Sequence, residues 1–390
     1  MLNFYEFFAG GGMARIGLNQ GWRCLFSNDI DEKKAAAYKI NFNGAPELKI
    51  RDVALLTPDD LPGVADLAWA SFPCQDLSLA GNRGGLSAER SGAFWPFWRL
   101  MQGLCANRRA PRLIALENVS GALTSDGGND FIAIAQAFTQ AGYYFGAMII
   151  DAAYFLPQSR PRLFIIGVRS DIAIPPKVIN ITPNPTWHPA KIRESVAQLP
   201  PEARHHWIWW RLPAPPPRMT VFADLIEKEP QGVNWHTPEE TRRLLSLMSE
   251  INQAKVLMAQ ATGQNVVGGV YKRTRNGVQR AEVRFDDVAG CLRTPVGGSS
   301  RQTILIVEGS SIRSRLLSPR EAARLMGLPE SYKLPKKYND AYHLAGDGLA
   351  VPVIRYLAAN ILEPILMNTE PFVISSLKFF PQLSVEFLPA

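Results

Sequence analysis

The chain has 390 residues, 46% of them apolar and 20% charged, with a formal net charge of +7. That length suits a core domain plus a second lobe or large insertion, and the composition is that of a globular protein. Cys24, Cys74, Cys105 and Cys291 lie too far apart for paired metal-ligand spacing or a disulfide framework, so no metal is expected and a reducing, cytoplasmic setting fits best. Met1-Leu2-Asn3-Phe4-Tyr5-Glu6 lacks the basic start of a signal peptide. No uninterrupted apolar segment approaches the roughly 20 residues that cross a bilayer, so no membrane association is expected. The positive balance suggests an acidic partner, of which nucleic acid is the commonest.

Residues 3–8 form a strand-like apolar run that enters Ala9-Gly10-Gly11-Gly12-Met13-Ala14-Arg15-Ile16-Gly17-Leu18, whose latter half reads as a helix. A strand, a glycine turn and a helix amino terminus bring free backbone amides to a ligand. The dinucleotide fingerprint needs its third glycine where Arg15 stands, so a nicotinamide or flavin enzyme loses ground. Cys24-Leu25-Phe26-Ser27-Asn28-Asp29 reads as a second strand, ending in an acid 19 residues past Gly10. An acid there in a wound sheet can accept hydrogen bonds from both ribose hydroxyls.

Asp66-Leu67-Ala68-Trp69-Ala70 is a short buried strand that runs into Ser71-Phe72-Pro73-Cys74-Gln75. Small, polar and glycine residues over 76–85 then read as a long mobile loop. Most free cysteines are small buried hydrophobes, but a cysteine at the carboxyl end of a strand is where an open α/β sheet places chemistry. Phe94-Trp95-Pro96-Phe97-Trp98 reads as core packing. Residues 113–119 form another apolar strand with Glu117 near its end, and Gln158-Ser159-Arg160-Pro161-Arg162 opens a further one. Alternation along an extended segment puts Arg160 and Arg162 on one face.

From Asp171 the pattern breaks. Prolines crowd at 175–176, 183, 185, 200–201 and 213–217, tryptophans cluster at Trp207, Trp209 and Trp210, and the chain reads as irregular and leaving the sheet. Residues 239–259 look helical. Residues 271–301 hold seven Lys or Arg against three acids, a net of +4, on a glycine-rich scaffold that suits phosphate and base-edge contacts. Arg273, Arg275, Arg280 and Arg301 are the first candidates. Ser318 caps a helix that has Pro319 in its first turn, and a last helix runs from the 345–353 segment to about Leu362.

Phe72-Pro73-Cys74-Gln75 followed by Ser78 resembles the nucleophile motif of the cytosine-5 DNA methyltransferases. Other motifs similar to that family's follow in order: Phe8-x-Gly10-x-Gly12 before it, then Glu117-Asn118-Val119, Gln158-x-Arg160-x-Arg162, Ser318-Pro319-Arg320-Glu321 and Gly346-Asp347-x-Leu349-x-Val351. The resemblance implies that S-adenosylmethionine lies against Phe8, Ala9, Gly10, Gly11, Gly12, Asp29, Ile30, Asp52, Val53, Pro73 and Asp347. Asp29, Ile30 and Asp347 stand where the family usually has glutamate, tryptophan and asparagine. It further implies that Cys74 attacks carbon 6 of a flipped-out cytosine in a specific duplex DNA site, Glu117 protonates ring nitrogen 3, and Arg162 binds the cytosine carbonyl. Arg160 and Arg162 together would stabilise the thiolate, and Gln75 and Ser78 would touch DNA.

The fold implied is an α/β mixed sheet with helices on both faces, from residues 1–180 and 310–390, plus a smaller irregular target-recognition lobe from 181–309. A monomer is expected, with a possible cognate restriction endonuclease. An RNA cytosine methylase on the same scaffold and a catalytically silent DNA-binding regulator stay open as alternatives.

Overall fold

The computed structural model describes residues 1–73, 91–275, 277–294 and 301–368, the side chains of Ser91 and Arg275 excepted. Cys74, Gln75 and Ser78, and the loop expected after them, lie outside the described residues.

Seven strands build the main sheet: β1 (Leu2–Phe7), β2 (Trp22–Asp29), β3 (Leu48–Ile50), β4 (Leu67–Ala70), β5 (Leu113–Val119), β6 (Tyr143–Asp151) and β7 (Pro161–Arg169), in the order β3-β2-β1-β4-β5-β7-β6. Strands β1 to β5 pair in parallel, and β7 runs antiparallel to both of its neighbours. The chain winds outward from β1 to β3 and then returns to β4 on the other side of β1. This reversal opens a crevice beyond the carboxyl ends of β1 and β4, where open α/β sheets bind ligands.

Side chains alternate across the sheet and feed two cores. Phe4, Trp69, Ala115 and Phe164 face one of them, with Met13 and Leu18 of α1 (Met13–Leu18). Phe7, Phe26, Ala70 and Leu116 face the other, which takes Phe94, Phe97 and Trp98 of α3 (Phe94–Ala106) and Phe131, Ile134 and Phe138 of α4 (Asn129–Gln140). The aromatic run at 94–98 is therefore core packing, with Trp95 the most exposed of its rings at 37%. Between β2 and β3 lies α2 (Glu32–Asn41), capped by the Asp31 carboxylate.

The proline-rich stretch after Asp171 stays on the main sheet. It carries β8 (Ile179–Asn180), α5 (Ala190–Ala197), α6 (Pro201–His205) and β9 (Trp209–Trp210). Residues 206–208 bond along the free edge of β6 through Phe145 N to His206 O, 2.9 Å, and Ile208 N to Phe145 O, 2.7 Å. Trp187 and Trp210 are fully buried in the same core as Met148 and Ile150. These large rings hold a segment whose regular elements are short.

The second lobe proper contains α7 (Pro238–Ser246), α8 (Glu250–Ala261), β10 (Asn265–Arg275), β11 (Val278–Arg284), β12 (Thr303–Glu308) and β13 (Ser311–Leu316). It is organised rather than irregular: an antiparallel sheet, β11-β10-β12-β13, over a core that includes Leu244, Met248, Val256, Val270, Leu305 and Val307. Its elements run from Pro238 to Leu316. The helical reading of 239–259 resolves into two helices, because Ala281 N bonds to Leu247 O (2.9 Å) and Ser249 turns extended to begin α8.

The chain returns through α9 (Pro319–Leu325), α10 (Tyr338–Asp347), α11 (Val351–Leu357) and α12 (Glu363–Leu366). Ser318 caps α9 as expected, in a reciprocal pair with Glu321. The run Tyr338–Leu366 is apolar and long enough to cross a membrane, but it is broken after Asp347, and Val353, Ile354, Leu357, Ile361 and Leu362 pack into the main core.

Candidate active site

The carboxyl ends of β1, β2 and β3 gather the residues expected at the cofactor. Phe8, Gly10 and Gly12 all have positive φ, so β1 ends in a tight turn that leads into α1. A Cβ on Gly10 would meet nothing within 4 Å, so open space lies beside this turn. At Gly11 an added Cβ would meet the Tyr332 hydroxyl at 2.6 Å, so that glycine serves the protein's own packing. Asp29 closes the turn from β2: Oδ2 accepts from Gly10 N at 2.7 Å and Oδ1 from Asp31 N at 2.8 Å. Each carboxylate oxygen keeps a lone pair for a ligand hydroxyl, and burial raises the Asp29 pKa. An open glycine turn beside a fixed carboxylate fits a ribose-bearing cofactor such as S-adenosylmethionine.

Farther out, Asp52 caps the turn Val53–Leu55 by accepting from Ala54 N at 2.8 Å, with Val53 buried beneath it. Ala9 is buried, Ile30 is 67% exposed at the end of β2, and Pro73 is exposed. Asp347 ends α10 and pairs with Lys34 of α2 at 2.8 Å.

On the other side of the crevice stands Glu117, 8% exposed. Its Oε1 lies 3.2 Å from Arg162 Nε. Burial raises the Glu117 pKa, with Arg162, Arg160 and the Ser71 side chain opposing the shift, and the net movement is upward. Asn118 Nδ2 donates to Phe72 O at 3.4 Å, and a small cavity is lined by Phe72, Leu116, Glu117 and Asn118. Glu117 is thus brought against the chain that leads directly to Cys74.

Strand alternation does bring Arg160 and Arg162 to one region, with different partners. Arg162 reaches Glu117 and the Cys291 Sγ, the latter at 3.8 Å. Arg160, 3% exposed, donates to the carbonyls of Leu292 (3.1 Å), Gly346 (2.9 Å) and Gly348 (2.7 Å), and its Nη1 lies 3.5 Å from Cys291 Sγ. Burial and the charge of Arg162 pull Arg160 below its usual pKa. Arg160 is a strut between three chain segments as well as a local positive charge.

Sequence reasoning missed several neighbours. Cys291 stands beside both arginines. Burial raises its thiol, but the arginines outweigh that and the net shift is downward. Asp151 Oδ1 accepts from Arg160 N at 2.6 Å and fixes the turn into β7. Gln158, fully buried, donates to Leu325 O at 2.5 Å and accepts from Leu292 N at 3.2 Å. Lys34 and Cys291 carried no local signal, while Gln158 was quoted only as a motif letter.

The basic residues of the second lobe divide. Arg273 and Arg280 face each other across β10 and β11, exposed, with Glu282 Oε2 3.8 Å from Arg273 Nε. The Arg275 side chain lies outside the description. Arg301 is elsewhere: it stacks on Tyr338 and donates to Asn339 Oδ1 at 2.5 Å, both on α10.

This wound sheet carries a glycine turn at one end of its crevice and a carboxylate–arginine pair at the other, an arrangement that suits a nucleotide-type cofactor beside an acid–base site. The chain belongs to the C-5 cytosine-specific DNA methylase family, whose model matches residues 2–363. It is 26% identical over 375 residues to the type II methyltransferase M.HhaI of Haemophilus parahaemolyticus, covering 95% of this chain and 97% of that one. It is 27% identical over 372 residues to M.Bsp6I of Bacillus sp. (strain RFL6), covering 94% and 100%. Among solved structures it is similar in fold to the Entamoeba histolytica methyltransferase EhMeth, with TM-score 0.62, 16% identity and 95% and 99% coverage. The S. pombe Dnmt2 methyltransferase gives TM-score 0.56, 18% identity and 93% and 99% coverage. The protein is a DNA cytosine-5 methyltransferase, and S-adenosylmethionine is its methyl donor.

Proposed function

We propose that the enzyme methylates a flipped-out cytosine within one short duplex sequence through a covalent bond from Cys74 to ring carbon 6. The observation that carries this reading is buried Glu117, 3.2 Å from Arg162 and beside Phe72, two residues before Cys74. Carbon 5 of cytosine is a poor nucleophile. The thiolate forms a bond to carbon 6 while Glu117 delivers a proton to nitrogen 3, and the ring becomes an enamine that is nucleophilic at carbon 5. Arg162 orients the Glu117 carboxyl and holds the cytosine carbonyl, and the positive charge of Arg160 and Arg162 favours the thiolate. When bound, S-adenosylmethionine supplies an electrophilic methyl group and leaves as a neutral thioether. Loss of the carbon 5 proton to a base, breakage of the carbon–sulfur bond and return of the nitrogen 3 proton to Glu117 then restore the ring and free Cys74.

Phe8 to Gly12, Asp29, Ile30, Asp52, Val53, Pro73 and Asp347 are proposed to hold the cofactor, with Asp29 on the ribose. The lobe at 238–316 is proposed to read the DNA site, with Arg273, Arg275 and Arg280 on the duplex and Gln75 and Ser78 near the extruded base. Extrusion costs a few kcal/mol and gives the site access to carbon 5 and carbon 6. A cytoplasmic monomer, serving beside a restriction endonuclease as the type II names of its relatives suggest, completes the reading.

Methyl transfer to a mixed-sequence duplex, read by base-resolution conversion sequencing, should place methyl groups at cytosine carbon 5 in one recurring context. Cys74→Ser should abolish turnover and spare DNA binding. Near-normal methylation by that variant would remove the covalent model.

A further inference from the structure

Lys34 belongs to no motif, yet it stands where the two halves of the site meet. Its Nζ lies 2.8 Å from Oδ2 of Asp347, and the lysine side chain is 22% exposed. Burial works against the ammonium charge, but Asp347 first, then Asp29 and Asp31, outweigh it and move the pKa upward, so Lys34 is a fixed cation. Asp29 is the acid that closes the glycine turn through Gly10 N.

On the far side of Asp347, the carbonyls of Gly346 and Gly348 accept from the same Arg160 nitrogen, at 2.9 and 2.7 Å. The other terminal nitrogen of Arg160 meets Leu292 O and the Cys291 thiol, which also touches Arg162. The short segment 346–348 is therefore gripped by α2 through a side chain and by Arg160 through two carbonyls. Asp29 Oδ1 accepts from Asp31 N and Asp31 Oδ1 accepts from Lys34 N at 3.1 Å, so hydrogen bonds and the Lys34–Asp347 pair link the glycine turn to segment 346–348 and, through Arg160 and Cys291, to Arg162. A shift of α2 or of the turn is transmitted along these links to the arginines.

We infer that Lys34 is a positioning residue which, through Asp347, couples the cofactor end of the crevice to Arg160 at the catalytic end. The inference rests on the functional reading above. It also accounts for the acid at 347, where the family usually has asparagine, because a cation stands opposite it. A built-in comparison comes from the adjacent Lys33, which pairs with Asp340 across the same two helices at 3.0 Å but is 71% exposed, with Asp340 the one ion-pair partner of its ammonium among the described residues. If the Lys34 pair only tied α2 to α10, the two lysines would be equivalent.

The test uses the full-length protein and the variants Lys34→Met, Lys34→Arg and Lys33→Met. Binding of S-adenosylhomocysteine is measured by calorimetry, methyl transfer at saturating cofactor and DNA gives kcat, and thermal unfolding checks folding. Lys34→Met should weaken S-adenosylhomocysteine about tenfold and lower kcat by a similar factor, the scale of ordinary coupling between sites. Lys34→Arg should recover most of both, and Lys33→Met should match the unaltered protein. Unchanged binding and kcat in Lys34→Met, or equal losses in Lys33→Met, would overturn the inference. Weaker binding with kcat intact would overturn the coupling to Arg160. An unaltered protein that binds no S-adenosylhomocysteine would refute the functional reading itself, and the inference with it.

Discussion

Arg162 Nε lies 3.2 Å from Glu117 Oε1 across the antiparallel pair of β7 and β5, in which Val119, two residues on from Glu117, is the residue opposite Arg162. The two side chains therefore meet diagonally, within reach of long side chains on one face of a sheet. The arrangement gives a carboxyl whose pKa is raised by burial and held from rising further by the guanidinium.

Glu117→Gln is expected to lower kcat about 100- to 1000-fold, the usual scale for loss of a general acid. The amide keeps the shape of the acid, so DNA affinity and the unfolding temperature should hold. The sign of the pH effect follows from the raised pKa. The acid form persists to higher pH than in an exposed glutamate, and the rate falls as pH rises through that pKa. Arg162→Met removes the leading opposing charge, so in this weakened variant the alkaline limb should move to higher pH. Profiles of kcat/KM against pH for the three proteins decide it, and an alkaline limb that survives in Glu117→Gln would show that another group carries the proton.

Much of this half of the site was legible because its parts are local. Each of β1, β4 and β5 is a short apolar run whose carboxyl end carries or leads into a chemically distinct residue, and their parallel pairing brings those ends together; β7, antiparallel to β5, brings the arginines at its start to the same edge. Arg160 shows where legibility stops. Alternation predicts its side of the strand, but its carbonyl partners are 132, 186 and 188 residues away, contributed by segments whose approach depends on tertiary packing. The same holds for the stretch after Asp171. Proline density predicts irregular backbone correctly, yet cannot reveal that Trp187 and Trp210 bury it against the main sheet.

The return from the second lobe passes through a buried ion pair. Arg315 of β13 and Glu321 of α9 are both fully buried, with nitrogen–oxygen distances of 2.6 and 2.8 Å, and Glu321 also accepts from Ser318 N at 2.7 Å. Arg315 also lies over the Trp235 ring, 5.0 Å from its centre. Arg315→Met leaves a buried carboxylate without its cation and should cost about 3–5 kcal/mol, whereas Arg315→Met with Glu321→Leu should cost less. Urea unfolding of the two variants measures the difference, and equal losses would mean that the pair is not the source of the penalty.

Glu6 of β1 lies beneath the glycine turn, 1% exposed. Its carboxylate accepts from the Tyr38 hydroxyl at 2.9 Å and from Arg15 N at 3.2 Å. Burial pushes its pKa up to about 7 from 4.5, against the pull of Tyr38 and Arg15 and with a small push from Asp29. A folded pKa above the unfolded one gives a stability contribution that is fully present below the unfolded value and lost as pH rises to about 7. Its size is of the order of 3 kcal/mol at about 1.4 kcal/mol per pKa unit. The urea midpoint of the unaltered protein should therefore fall between pH 5 and pH 7 relative to that of Glu6→Gln, and the difference should level off at higher pH. Parallel curves for the two proteins would place the titration elsewhere.

Arg273 and Arg280 are directly opposite in the register of β10 and β11, both exposed, and among the described residues the acid paired with them is Glu282, 3.8 Å from Arg273. Like charges opposed on a sheet destabilise it, and an anionic backbone laid across the pair would remove that repulsion. Arg280→Ala should therefore leave the unfolding temperature unchanged or slightly raised while weakening duplex binding. In fluorescence anisotropy, the slope of log affinity against log salt should become shallower by about one for that variant, as expected when one phosphate contact is lost. Arg301→Ala is the contrast, because this guanidinium is engaged with Asn339 and Tyr338 on α10 rather than with the hairpin face. It should change the slope less than Arg280→Ala does. An unchanged slope in Arg280→Ala would move the duplex off this face of the second lobe.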